Sequence, residues 1–329
     1  MSSQLISDLN LPTGVVIRKN RGQYVVQIDN QFFNCSASNR LYKKLIYPTA
    51  DLSSNPHHRV QRVENINEVD PVAIGDRVQF LPGDNNTGLI QEVLPRRNQL
   101  SRKDYNGNHY KQHAFEQVMC ANIDQAIIVF AAAKPEPKWN LLDRYLVAAE
   151  SFNLEALVCI TKIDLIEPSS LDPILEIYRQ IGYKILLTSA TSQDGIPQAR
   201  QAFSGKVSVL MGKSGVGKSS LLNAIQPGLG LRVSAIGKGE IGKGRHTTTH
   251  LELFPLESGG GVIDTPGMRE FDLWHIDKLN LASCFPEMRP FLRDCQFHSD
   301  CLHLAEPGCA IRKALQHGKI SQQRYISYT

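Results

Sequence analysis

Eight residues, Gly212-Lys213-Ser214-Gly215-Val216-Gly217-Lys218-Ser219, fit the spacing G-x-x-x-x-G-K-[ST]. An apolar run, Val207 to Met211, precedes them and suits a buried strand. Ser220-Leu221-Leu222-Asn223-Ala224-Ile225 follows and can open a helix. In that context the glycines let successive backbone N–H groups turn inward around an anion. The helix N-terminus adds partial positive charge, Lys218 adds a full one, and the Ser219 hydroxyl can ligate Mg²⁺. The chemistry on offer is the binding of a nucleoside di- or triphosphate.

Two further stretches suit the same phosphates. Asp264-Thr265-Pro266-Gly267 follows the short apolar run Gly261-Val262-Ile263. A carboxylate at a strand end suits Asp264 to hold Mg²⁺ through water, and the Gly267 N–H suits a γ-phosphate. Gly242-Lys243-Gly244-Arg245-His246-Thr247-Thr248-Thr249 lies between that motif and the phosphate loop. Thr248 or Thr249 could reach Mg²⁺ while a γ-phosphate is present and be released after hydrolysis. His246 is the nearest candidate to position the attacking water, because Met268, not glutamine, follows Gly267.

Thr161-Lys162-Ile163-Asp164 resembles the guanine-recognition pattern [NT]-K-x-D. The Asp164 carboxylate can accept from the N1 and N2 donors of guanine. Adenine lacks that pair, so GTP is expected over ATP. Ser189-Ala190, after the next strand, can offer backbone N–H groups to the guanine O6. Thr161 stands where asparagine is commoner.

Cys295-x5-Cys301-x-His303-x5-Cys309 offers three thiolates and an imidazole, a set suited to a closed tetrahedral Zn²⁺ site. Cys284 and His298 are alternative ligands. Seven cysteines make an odd number for a disulfide framework, which favours metal for this cluster.

The elements that must position these residues fall into three groups. Residues 1–100 read as β: Gly14 to Lys19, Gln23 to Ile28, Gln31 to Cys35, Asp76 to Phe80 and Gly88 to Leu94, joined by tight turns. That count suits an OB-type barrel. Residues 47–71, with Pro48, Pro56 and Pro71, read as a long exposed loop. Arg96 to Lys103 reads as a basic connector, with contact to a phosphate backbone as the sharper alternative. Residues 101–277 alternate strands and helices, so a doubly wound, mostly parallel sheet is expected. Residues 278–329 make a small α module that a metal would help to fold. A net charge of +4 permits a polyanionic partner without demanding one. No run approaches the roughly 18 apolar residues of a membrane span, and no basic-then-apolar leader opens the chain. A cytoplasmic monomer without membrane attachment is expected.

Ordinary GTPases place the phosphate loop first, then the switch threonine, D-x-x-G, N-K-x-D and S-A. Here the guanine motif and Ser189-Ala190 precede the phosphate loop, Thr247–Thr249 and Asp264–Gly267. The cyclic order is kept and the cut has moved, so the central domain reads as a circularly permuted P-loop GTPase. That order, the Gly-Lys-Ser-Gly-Val-Gly-Lys-Ser loop, the Arg245-His246-Thr247-Thr248-Thr249 stretch and the terminal Cys/His cluster together resemble the RsgA (YjeQ) family of small ribosomal subunit biogenesis GTPases. The resemblance spans nearly the whole chain. It implies an OB-fold RNA-binding domain, a permuted GTPase domain and a zinc domain. It also implies GTP and GDP as ligands with Mg²⁺, one structural Zn²⁺, and a catalytic role for His246. The implied partners are the immature small ribosomal subunit, its rRNA and other assembly factors, with hydrolysis stimulated by the subunit. The first cysteine spacer is five residues where the family pattern has four, and the chain ends soon after Arg324-Tyr325, short of the family's helical tail. The alternatives kept open are a nucleotide-regulated rRNA-binding assembly factor in which hydrolysis is incidental, and an ATPase.

Overall fold

The computed structural model describes residues 11–20, 22–44, 70–104, 115–229, 251–264 and 276–329. Contacts divide the chain into two compact units: residues 1–123 with 250–253, and residues 124–249 with 254–329.

In the first unit alternating apolar positions make β1 (Thr13–Asn20), β2 (Gln23–Ile28) and β3 (Gln31–Ala37), followed by a short α1 (Asn39–Lys44). β4 (Arg77–Pro82) and β5 (Thr87–Val93) complete the set. β1 pairs with both β2 and β4, β2 with β3, β3 with β5 in parallel, and β5 with β4. The ring of pairings is closed, so these five strands form a barrel, as their number and spacing predict. Its inward residues Val16, Tyr24, Val26, Val78, Phe80 and Ile90 form one core.

Arg96, which opens the basic stretch, is not a free solvated cation. Arg96 donates to the fully buried Asp76 carboxylate from Nε and Nη2, at 2.8 and 2.9 Å. A buried carboxylate needs such a partner, and the pairing leaves Arg96 mostly buried. Gln99–Asp104 (β6) then pairs antiparallel with Phe115–Ala121 (β7), and Ile74 bridges to Cys120. The compact unit that holds the barrel runs on through these two strands to Ile123.

The second unit holds β8 (Gln125–Ala131), β9 (Glu155–Thr161), β10 (Lys184–Leu187), β11 (Lys206–Met211) and β13 (Gly260–Asp264), while β12 (Glu252–Pro255) begins in the first unit and ends in the second. β10, β9, β8, β11 and β13 lie side by side in that order, each pair parallel. Every residue of β8 is buried, as expected for a strand covered on both faces. α4 (Ile196–Phe203) and α5 (Lys218–Ile225) cover one face, where Phe203, Leu221 and Leu222 pack on Ile127, Leu157 and Leu210. α2 (Trp139–Ser151) packs on β8 and β9 and brings Tyr145 edge-on to Phe130, 6.0 Å between ring centres. α3 (Asp172–Ile181) stops at Gly182, whose φ of +108° suits a left-handed cap.

Residues 276–329 form short 3₁₀ turns followed by α6 (Ala310–Gln316) and α7 (Gln322–Tyr328). Their core of Phe285, Met288, Ile311 and Tyr328 includes Val147 of α2, so the module lies in the same compact unit as the parallel sheet.

Candidate nucleotide site and metal centre

The carboxyl ends of β9, β10, β11 and β13 carry the residues that the motifs singled out. β11 ends at Met211 and the loop of residues 212–217 leads into α5, so the strand–loop–helix order is the one its pattern requires. A Cβ at Gly212 would lie 2.4 Å from the Val129 carbonyl oxygen, which explains a glycine where the loop passes β8. Gly217 caps α5 with φ +98°. Lys213 and Ser214 are exposed, Val216 is core, and Ser219 and Ser220 lie half-buried in the first turn of α5. The Lys218 ammonium folds back over the loop, donating to the Gly212 and Lys213 carbonyls at 2.7 and 2.9 Å. Burial pushes its pKa down, and the Asp264 carboxylate opposes that shift. Asp264 ends β13 opposite Leu210 of β11, which sets its carboxylate beside the start of the loop.

The guanine motif is tied into this loop from behind. The Thr161 hydroxyl donates to the Val216 carbonyl, with a second contact to the Phe130 carbonyl at 3.2 Å. The Lys162 ammonium donates to the Gly215 carbonyl at 2.7 Å and to the Lys134 carbonyl. Lys162 has φ +59°, a turn that brings Ile163 inward and leaves Asp164 exposed. The Ser189 hydroxyl donates to the Asp164 carboxylate and accepts from the Thr191 and Ser192 N–H groups at 3.2 and 3.1 Å. The Ile163 N–H also reaches the Thr188 carbonyl at 3.3 Å. One loop therefore fixes the carboxylate of the other, and Ala190 follows at its rim. His246, Thr248, Thr249 and Gly267 lie outside the described residues, as does most of the 47–71 loop.

Cys295, Cys301, His303 and Cys309 converge, their ligand atoms all within 4.8 Å of one another and all four residues buried. His303 Nδ1 lies 3.5 Å from the sulfurs of both Cys295 and Cys309. Zn–S bonds of about 2.3 Å and a Zn–N bond of about 2.0 Å at a tetrahedral angle put sulfur and nitrogen about 3.5 Å apart, so the donor set fits that ion. Cys284 and His298 are not part of the group. Burial pushes the Cys301 thiol up to about 12 and the His303 imidazole down in the metal-free protein. Glu306 braces the ligand loop, accepting from the N–H groups of Leu302, Leu304 and Ala305. Tyr325 and Tyr328 of α7 donate to the carbonyls of His303 and Leu302 at 2.6 and 2.8 Å.

A second buried polar cluster has no counterpart in the motif reading. Arg324 of α7 is fully buried and donates to Asp143 of α2 and to Glu287, each at 2.6 Å. Tyr178 of α3 donates to the same Asp143 oxygen at 2.9 Å. The signal available was an aspartate inside the apolar face of α2, which motif spacing does not single out.

A parallel sheet with the phosphate loop after its fourth strand and the guanine motif after its second is the fold of a circularly permuted P-loop GTPase. A sequence model of the RsgA GTPase family matches residues 93–274, and this chain belongs to that family. It is 42% identical over 259 residues to the small ribosomal subunit biogenesis GTPase RsgA of Gemmatimonas aurantiaca, covering 78% of this chain and 82% of that protein. The crystal structure of YjeQ from Thermotoga maritima superposes with a TM-score of 0.71 at 30% identity, covering 96% of this chain and 95% of that one. That of YloQ, a circularly permuted GTPase, gives 0.68 at 31%, covering 97% and 93%. The chain is thus a GTP hydrolase by family, and guanine nucleotide is its ligand class. Among the described residues no helix is long and apolar enough to cross a membrane.

Proposed function

We propose that this GTPase binds the small ribosomal subunit and assists its late maturation, hydrolysing GTP to GDP and phosphate under stimulation by the subunit. The observation that carries the reading is the convergence of the guanine motif and the phosphate loop at the carboxyl end of the parallel sheet, in a chain whose relatives are named for small-subunit biogenesis. Residues 1–100 would supply the RNA-binding barrel, 101–277 the GTPase domain and 278–329 the zinc-binding domain.

In this assignment Gly212 to Ser220 cradle the phosphates. Lys218 exchanges its two loop carbonyls for phosphate oxygens, which repays the burial that depresses its pKa. Asp164 reads the base while Lys162 and Ile163 shape its loop, and Ser189 and Ala190 close the O6 side. Ser219 and Asp264, with Thr248 and Thr249, would hold Mg²⁺, which supplies charge neutralisation between the outer phosphates. Gly267 would donate to the γ-phosphate and His246 would orient the attacking water. Cys295, Cys301, His303 and Cys309 would hold one Zn²⁺, which supplies a cross-link for a module built of short turns and two short helices. A cytoplasmic monomer acting on rRNA, alongside other assembly factors, completes the proposal.

The test is GTP hydrolysis by the purified protein with and without small subunits, with ATP and large subunits as controls. GTP-only stimulation specific to the small subunit is expected. Intact GDP binding without stimulation would favour an rRNA-binding assembly factor in which hydrolysis is incidental. Equal use of ATP would overturn the guanine assignment.

A further inference from the structure

The chain order joins the metal module to the segment after Asp264, so the expected line of communication runs from the γ-phosphate side. The packing offers a different one. The module is clasped to α2 and α3 through the buried cluster of Asp143, Tyr178, Glu287 and Arg324. Both helices spring from the guanine-binding side of the sheet. α2 follows β8 through the connection that holds Lys134, whose carbonyl accepts from Lys162 of the guanine motif. α3 follows β9 through the guanine motif and the 3₁₀ turns of residues 163–171. The Tyr178 hydroxyl joins α3 to α2 at Asp143, and the Arg324 guanidinium closes the cluster, stacked 4.7 Å above the Phe285 ring of the module. Ser327 of α7 donates to the other Asp143 oxygen. The cluster is nearly dry, with Arg324 and Asp143 at 0% and 1% side-chain exposure, so its charges hold only while every partner stays in place.

We propose that occupancy of the guanine site, rather than the presence of a γ-phosphate, sets how firmly the metal-binding module is docked, with Arg324 as the positioning residue of that coupling. This rests on the guanine-nucleotide reading given above. Ordering the 131–138 and 161–171 loops on the base fixes the starts of α2 and α3. It thereby fixes the Asp143–Tyr178 pair that receives Arg324. Linkage makes the effect reciprocal: loosening the cluster weakens guanine nucleotide binding by the same factor. GDP and GTP act alike through this route, because they share the base.

Hydrogen–deuterium exchange on the full zinc-loaded chain tests it, without nucleotide, with GDP and with a non-hydrolysable GTP analogue. Exchange across residues 310–329 is expected to slow about fivefold or more with either nucleotide, the low end of ordinary coupling. Tyr178→Phe removes only the hydroxyl that joins α2 to α3, and Arg324→Met removes the clasp. In each the slowing at 310–329 should disappear and GDP affinity should fall by a matching factor. Three outcomes overturn the proposal: slowing by the GTP analogue alone, slowing that persists in both variants, or protection at residues 161–164 and 212–219 with none at 310–329. Absence of protection at the loops themselves would instead remove the guanine reading on which the proposal rests.

Discussion

Thr161→Val keeps the shape of the side chain and deletes one donor. Thr161 is 4% exposed and Val216 is 3% exposed, so no solvent replaces the lost hydroxyl at the Val216 carbonyl. A buried carbonyl left without its donor costs about 1–3 kcal/mol. The consequence reaches the ligand through the peptide plane. In a trans peptide the C=O and the following N–H point in opposite directions. Holding the Val216 carbonyl against Thr161 therefore turns the Gly217 N–H away from Thr161, toward the concave side of the loop. Lys162 does the same for the Gly215 carbonyl and the Val216 N–H. With the Val216 carbonyl released, the loop samples other orientations and nucleotide binding must restore the one it needs. If the whole cost falls on binding, GDP affinity drops roughly five- to 150-fold, a tenfold change being about 1.4 kcal/mol. If it falls on the fold, melting temperature drops instead. Calorimetric titration with GDP and a thermal melt of the same sample separate the two, and Thr161→Ser should restore what valine loses. A valine variant within about twofold of the wild type in affinity, with an unchanged melt, would refute the argument.

Three other outcomes are expected. Asp164→Asn replaces an acceptor by a donor opposite the guanine N1 and N2 positions, so GDP affinity should fall at least about a hundredfold while xanthosine diphosphate, with a carbonyl in place of the amino group, gains; competition binding against both diphosphates reads this directly. Purified protein should carry one zinc per chain by elemental analysis, and Cys301→Ser or chelation should lower the melting temperature while leaving phosphate-loop residues able to bind GDP; an unchanged melt after complete metal loss would argue against a structural ion. His246→Ala should reduce subunit-stimulated turnover by about tenfold or more with GTP affinity nearly intact, and an equal loss of affinity would make His246 a binding residue.

Chemistry was legible in this chain wherever it depends on short spacing. A phosphate loop needs glycines, a lysine and a hydroxyl within eight residues, because one turn of backbone must wrap one phosphate. The permuted order was legible too, since motif order is a property of the chain. The five barrel strands showed through their alternation, and β8 through its continuous apolar run. What escaped was decided by partners distant in sequence. Arg96 reads as a solvated cation until Asp76 is found buried beside it. Thr161 reads only as the first residue of the guanine motif, and the fold alone places its hydroxyl on a carbonyl 55 positions away. Cys284 and His298 compete as metal ligands on spacing, and only the convergence of ligand atoms separates them from the other four. Arg324 reads as an ordinary helix arginine, yet it meets an aspartate 181 positions earlier in a dry interface. Local motifs carry their geometry with them, whereas a buried charge has no meaning until the fold supplies its counter-charge.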